Sequence, residues 1–184
     1  MQYIRHDIEG VWEIVPRRYG DERGYFAETF KLEDFERHVG PVRFIQDNES
    51  VSQYGVLRGL HFQQGRWSQA KLVRVSQGEV LDIAVDLRGG SPTFGHHVAV
   101  RLSAHKGNQL FIPRGFAHGF VVLSDSAQFQ YKVDNDYAPE YEATLRFDDP
   151  ALNIDWLLPH ENLLLSEKDR HGKPLKNIKP FEIY

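Results

Sequence analysis

Lys71-Leu-Val-Arg-Val-Ser-Gln77-Gly78-Glu-Val-Leu-Asp-Ile-Ala-Val-Asp86 reads as a strand, a turn at Gln77-Gly78 and a second strand in which apolar and polar residues alternate. Two such strands face a common interior. Outward from this pair the same rhythm continues. From Gly10 to Ile112 short β-rich segments are separated by Gly, Asp, Ser and Pro, with one helical interruption near Leu32 to His38. Arg88 to Gly95 is a turn region, and further strands are expected over His97–Leu102, Gln109–Ile112, Phe120–Leu123 and Ala127–Val133. Many short strands with frequent turns point to a sandwich, a jelly roll or a closed barrel, each of which removes or protects its edges. After Asp134 the pattern breaks. Pro139, Pro150, Pro159, Pro174 and Pro180 punctuate an irregular tail with a short helical turn around Pro159–Leu164.

Composition narrows the function classes. The 184 residues are 41% hydrophobic, enough for one domain (1–184) with a sizeable core. No apolar run reaches bilayer length, and Met1 to Asp7 lacks a signal-like apolar segment, so no membrane partner is expected and the cytoplasm is the default location. The absence of cysteine excludes disulfides and thiolate catalysis, so any metal would have to rest on His, Asp and Glu. A net charge of -4 argues against nonspecific nucleic-acid binding, although a small phosphorylated ligand needs only a local cluster of cations.

Two further stretches, Gly55-Val-Leu-Arg-Gly-Leu-His61-Phe-Gln63 and Gly107-Asn-Gln-Leu-Phe-Ile-Pro113-Arg-Gly115-Phe-Ala-His118, resemble the two cupin motifs with the metal chemistry largely removed. That resemblance selects the jelly roll. The first motif normally supplies His-x-His and a nearby Glu, but here position 63 is Gln and Gln64 to Ser68 holds no carboxylate. Two imidazoles and an amide are a poor set for a divalent ion. An unligated histidine in the same pocket can still transfer protons near neutral pH.

As a base, His61 needs a partner that fixes its tautomer. Asp169, in Leu165-Ser-Glu-Lys-Asp-Arg170, is the favoured carboxylate, while spacing equally nominates Asp82, Asp86 and Asp47. A buried histidine satisfied by backbone groups is the bland alternative. Lys71 is either a solvated surface lysine, which spacing alone favours, or an inward ammonium able to stabilise an enolate oxygen. Alternation puts Phe129, Tyr131 and Val133 on one face, where Tyr131 is a proton donor or an aromatic core residue. His118 orients a ligand or fills the core. Arg23 and Arg58 suit a bidentate grip on phosphate oxygens, against surface salt bridges as the plain alternative. Gln46-Asp47-Asn48 offers amide groups for a base or sugar edge, with Phe26 for stacking.

Nine ordered blocks carry a closer resemblance: Asp21-Glu-Arg-Gly-Tyr-Phe, Gln46-Asp-Asn-Glu-Ser, Gly55 to Gln63, Lys71-Leu-Val-Arg-Val, Val85-Asp-Leu-Arg, Ser91-Pro-Thr-Phe-Gly, Ile112-Pro-Arg-Gly-Phe-Ala-His-Gly-Phe, Tyr131-Lys and Leu165-Ser-Glu-Lys-Asp. Together they are similar to the dTDP-4-dehydrorhamnose 3,5-epimerase family over nearly the whole chain. The resemblance implies an all-β cupin jelly roll (double-stranded β-helix) with short peripheral helices, a homodimer, and no metal or organic cofactor. The implied reaction inverts C3 and C5 of a dTDP-linked 4-keto-6-deoxy sugar through an enolate, as a step in dTDP-L-rhamnose synthesis. It implies His61 as base, Asp169 as its dyad partner, Tyr131 as proton donor and Lys71 at the 4-keto oxygen. Arg23, Glu28, Gln46, Asp47, Asn48, Arg58, His118, Glu142 and Lys168 resemble the ligand-binding set. One departure is visible. Gln64-Gly-Arg-Trp-Ser-Gln-Ala70 replaces a loop that often contains proline, at unchanged length. Three other classes compete: an epimerase acting at one carbon only, a non-catalytic sugar-nucleotide-binding cupin, and a metal-dependent cupin dioxygenase or isomerase.

Overall fold

The computed structural model describes residues 1–182. In chain order the elements are β1 (Gln2–Arg5), β2 (Trp12–Val15), β3 (Arg18–Asp21), β4 (Gly24–Ala27), α1 (Leu32–His38), β5 (Gln46–Gln53), β6 (Leu57–Gln63), β7 (Lys71–Gln77), β8 (Glu79–Asp86), β9 (His97–Ser103), β10 (Gln109–Ile112), β11 (Phe116–Val122), β12 (Ser126–Val133), β13 (Glu142–Thr144) and α2 (Glu167–Arg170). Two antiparallel sheets face each other, one ordered β1-β2-β10-β7-β12-β5 and the other β13-β6-β11-β8-β9. This is the expected jelly roll. A two-stranded ribbon, β3-β4, stands apart from both sheets. Among the described residues no helix is long and apolar enough to cross a membrane.

The turn at Gln77-Gly78 is where expected, but it does not close a hairpin. β7 and β8 lie in different sheets, so the chain crosses the barrel wall at this point. Gly78 has φ +79°, and a Cβ there would meet the Ser126 carbonyl oxygen at 2.0 Å. Only glycine fits so tight a passage. The two strands do share an interior, because Val73 and Val75 of β7 pack with Val80 and Ala84 of β8, together with Leu110, Phe120 and Phe129.

The alternation expected along β8 does not appear as alternating exposure, since seven of its eight residues are buried. The tail is the reason. Leu145, Phe147, Leu152, Trp156, Leu163 and Ile178 fold over the outer face of the five-stranded sheet and bury Leu81, Ile83 and Val85. Each aliphatic side chain covered in this way contributes about 1.5–3 kcal/mol. The tail is irregular in backbone, with a 3-10 turn at His160–Asn162 near the expected place, and it also supplies β13 and α2. Strand β1 lies before the region read as β-rich. Strand β11 begins at Phe116, earlier than expected, because the turn through Pro113 and Arg114 ends at Gly115.

The helix at Leu32–His38 agrees with the reading. Glu33 and Asp34 in its first turn and Arg37 and His38 in its last complement the helix dipole, and Phe35 is buried against Ile14, Leu72 and Phe111. Asp86, one of the carboxylates nominated for His61, serves the scaffold. It accepts hydrogen bonds from the Arg88 backbone and guanidinium, Ser91 Oγ and Thr93 Oγ1. Burial pushes its pKa up, but these donors outweigh it and hold the carboxyl at about 2. The Val85-Asp-Leu-Arg and Ser91-Pro-Thr blocks are therefore two halves of one turn.

Candidate active site

The site lies where β6 and β11 run side by side, with His61 opposite His118. His61 Nε2 is 2.5 Å from Asp169 Oδ1. Asp169 comes from α2, where the Ser166 side chain caps the helix by accepting from the Asp169 backbone N–H. Burial raises the Asp169 pKa, yet the hydrogen bond from His61 and the contact with Ser166 bring it below the ordinary carboxylate value. An ionised carboxylate only accepts, so Nε2 carries the hydrogen and Nδ1 is left with its lone pair. The imidazole is 28% exposed while Asp169 is 4% exposed. The ring meets the cavity and its partner stays behind it.

Lys71 and Tyr131 share this interior. Val133 pairs with Lys71 and Tyr131 with Val73 in the β12–β7 register, and the Lys71 ammonium sits 5.9 Å from the Tyr131 ring centroid. The surface reading that spacing favoured for Lys71 does not hold. Burial lowers its pKa to about 8, against the charges of Asp82 and Glu142, which raise it. Burial likewise raises the Tyr131 phenol, opposed by Arg58, so at neutral pH it keeps its proton. An imidazole, a protonated phenol and a desolvated ammonium thus face one interior.

Each residue at the motif positions for metal ligands has other bonds. His118 Nε2 is 3.1 and 2.9 Å from the two Asp82 oxygens, Gln63 donates to the Trp67 and Asp136 carbonyls, and its Oε1 accepts from Ala138 N. This donor set does not fit a divalent ion. Burial, opposed by Asp82, pushes the His118 pKa down. Asp82, nominated for His61, is thus the partner of His118, and Asp47 is paired with Lys132 at 2.5 Å.

The remaining candidates divide into two groups. Arg58 donates to Ser52 Oγ, Glu142 is 2.5 Å from Lys168, and Gln46 Nε2 donates to Asn48 Oδ1. Asn48 opposes Tyr131 in the sheet and shares its inward face. Asp47 therefore faces outward, away from the dyad. Arg23, Phe26 and Glu28 lie on or beside the ribbon. Arg23 is bound to Asp21 at 2.6 Å, Phe26 is 70% exposed, and the charge of Glu28 acts on Tyr3 beyond the barrel wall. Within one chain these three do not join the His61–Asp169 pair.

One neighbour of the site, Tyr137, is not marked by the sequence pattern. Tyr137 is exposed, and its hydroxyl donates to Glu142 Oε2 at 2.9 Å, but it lies in the irregular stretch where no periodicity marks a face. Asp82, nominated for His61 by spacing, sits at an inward position between Val80 and Ala84 and faces His118 instead. The divergent loop makes a 3-10 turn at Gly65–Trp67, with Trp67 packed 5.8 Å from Tyr141.

A jelly-roll barrel holding a histidine–carboxylate pair, a phenol and a buried ammonium, with its motif ligands bound elsewhere, defines a cupin-type site equipped for proton transfer. The comparisons place it more narrowly. The family model described as dTDP-4-dehydrorhamnose 3,5-epimerase matches residues 5–177. The chain is 54% identical over 182 residues to the dTDP-4-dehydrorhamnose 3,5-epimerase of Pseudomonas aeruginosa, covering 98% of this chain and 99% of that protein. The dTDP-6-deoxy-D-glucose-3,5-epimerase of Legionella pneumophila, solved with dTDP-4-keto-L-rhamnose, superposes with a TM-score of 0.95 at 48% identity, covering 100% of this chain and 98% of that one. A 3'-monoepimerase from Streptomyces bikiniensis, solved with dTDP-quinovose, gives a TM-score of 0.85 at 34% identity, covering 94% and 87%. This chain belongs to the dTDP-4-dehydrorhamnose 3,5-epimerase family.

Proposed function

We propose that the protein inverts C3 and C5 of dTDP-4-dehydro-6-deoxy-D-glucose, giving dTDP-4-dehydro-L-rhamnose. The observation that carries this reading is the His61–Asp169 pair, set in the same interior as the Lys71–Tyr131 pair, since the charges of His61 and Lys71 both act on His118. Both carbons flank the same carbonyl, so one oxygen activates both as carbon acids. His61 removes the proton, the negative charge moves to the carbonyl oxygen near Lys71, and Tyr131 delivers a proton from the opposite face. Each inversion leaves an imidazolium and a phenolate, which reset by exchange with solvent. Proton transfer of this kind supplies about 10²–10⁴-fold in rate. Arg58, Lys168, Glu142, Gln46 and Asn48 border the same cavity and serve the nucleotide and sugar. The exposed Tyr137 ring, held by Glu142, offers a stacking face for the base.

Proton NMR of the substrate in D₂O, without added metal, tests the reaction. Loss of the signals at both C3 and C5 is expected, with formation of the L-lyxo product. Loss of one signal would assign the single-centre activity named for the Streptomyces relative, and retention of both would leave a binding protein.

The proposal includes a homodimer acting in the cytoplasm. Tyr19, Tyr25 and Phe26 are exposed on the ribbon, and β5 is a sheet edge carrying an exposed Val51. Apolar surface of this kind marks an interaction face. A second copy would cover it and bring Arg23, Phe26 and Glu28 to a neighbouring pocket. Sedimentation equilibrium should give twice the mass of one chain, and Phe26→Ala should weaken substrate binding. A monomer of full activity would remove this part of the reading.

A further inference from the structure

A residue on an antiparallel strand faces the side opposite to its neighbour. By that rule Arg58 and His61, three positions apart on β6, point to opposite faces. They do not. Leu57, Leu60 and Phe62 all pack in the outer core under the tail, while Arg58 bonds to Ser52 and His61 meets the cavity. The pairing with β11 shows why: Phe120 opposes Arg58 and His118 opposes His61, so two steps on β11 match three on β6. One extra residue in β6 forms a bulge, and a bulge re-aims every side chain after it.

Glycines on both strands make room for it. Gly59 has φ +139°, and a Cβ there would meet Gly119 Cα at 2.5 Å and the His118 carbonyl oxygen at 3.0 Å. A Cβ on Gly119 would meet the Arg58 carbonyl oxygen at 2.7 Å and Gly59 Cα at 3.0 Å. No positive φ accompanies Gly119, so its need for glycine is crowding by the bulge alone. From outside, Leu60 is fully buried, and its backbone exchanges hydrogen bonds with Leu145, Leu145 N donating to Leu60 O at 2.8 Å and Leu60 N to Leu145 O at 3.4 Å. The bulge is therefore held between β11 and the tail that also carries Asp169.

We infer that Gly59 and Gly119 are positioning residues, a back-to-back glycine pair that turns the His61 imidazole into the cavity on the face of Arg58 and against Asp169. The inference rests on the reading of His61 as the base. A methyl group at Gly119 presses on the bulge without touching substrate. Misplacing a reacting group by about 1 Å can cost on the order of 10²-fold.

The test compares Gly119→Ala with Gly89→Ala, whose Cβ would meet the Phe181 carbonyl oxygen at 2.8 Å in the tail. Gly119→Ala is expected to lower kcat about 10- to 100-fold, with KM and dTDP affinity within about 3-fold and a larger deuterium isotope effect at the abstracted position. Gly89→Ala is expected to lose melting temperature and keep kcat. If Gly119→Ala fails to fold, Leu60→Ala retains both glycines, loosens the bulge from the tail, and should show the same loss confined to kcat. Unchanged kcat in whichever of these two variants folds overturns the inference. Full activity in His61→Ala would instead remove the reading of the base on which it rests.

Discussion

His61→Ala is expected to bind dTDP as the unaltered chain does and to lose about 10²–10⁴-fold in kcat, the range for removing a positioned general base. The geometry fixes which parameter moves. His61 meets the cavity through one ring nitrogen and spends the other on Asp169, so it has little left with which to hold a nucleotide. Asp169→Ala should lose kcat in the same direction, because without the carboxylate nothing assigns the hydrogen to Nε2 and the lone pair to Nδ1. The two losses should not add, since residues that act as a unit share one contribution. Arg58→Ala, by contrast, should raise KM more than it lowers kcat. Kinetics with the 4-keto substrate and calorimetry with dTDP separate the two effects. Turnover by His61→Ala at the unaltered rate would discard the mechanism, whatever the family.

Strand identity was legible where periodicity was strong. The segments through β7, β8, β10 and β12, and the helix at Leu32–His38, follow from alternation, turn residues and end charges. The misplaced expectations share a cause, which is that a second layer cannot be seen from within a strand. Alternation along Glu79–Asp86 suggests one wet face, and only the fold shows a tail of Leu145, Phe147 and Trp156 covering it. The turn at Gln77-Gly78 carries the chain into the other sheet, and nothing in it announces this, because a turn residue reports a change of direction and not the strand that follows it in space. At the site, the direction of His61 contradicts simple alternation and depends on a bulge whose only trace is Gly59 and Gly119, sixty residues apart in the chain. Asp169 lies 108 residues from His61 in the chain. Spacing could nominate four carboxylates for that place, and the structure distributes them among a dyad, a histidine prop, a turn and a surface pair.

Lys71→Met is expected to move activity and stability in opposite directions. An ammonium that stabilises an enolate oxygen acts as an oxyanion-hole donor does, and its removal should cost about 10²–10³-fold in kcat. The same charge burdens the fold. Burial lowers the Lys71 pKa from 10.5 to about 8, so at neutral pH the folded protein holds a proton that its surroundings disfavour. A shift of that size corresponds to at most roughly 3 kcal/mol, reduced by water at the cavity mouth because Lys71 is partly exposed there. Below pH 8 both folded and unfolded chains carry the proton and the full penalty applies. As pH rises from about 8 towards 10.5 the folded chain has released it and the unfolded chain has not, so the penalty is relieved and this contribution to stability increases. Lys71→Met should therefore melt at a higher temperature than the unaltered protein at pH 7, with the difference shrinking in alkali. Activity follows the opposite limb, because only the protonated amine stabilises the enolate: kcat/KM should fall above pH about 8. Asp82→Asn should bring that fall to lower pH, since the Asp82 charge raises the Lys71 pKa. Thermal unfolding and pH–rate profiles of the three proteins decide it. A Lys71→Met chain that is both less stable and fully active would make Lys71 a scaffold residue, leaving charge on the enolate oxygen without a donor from this chain's interior.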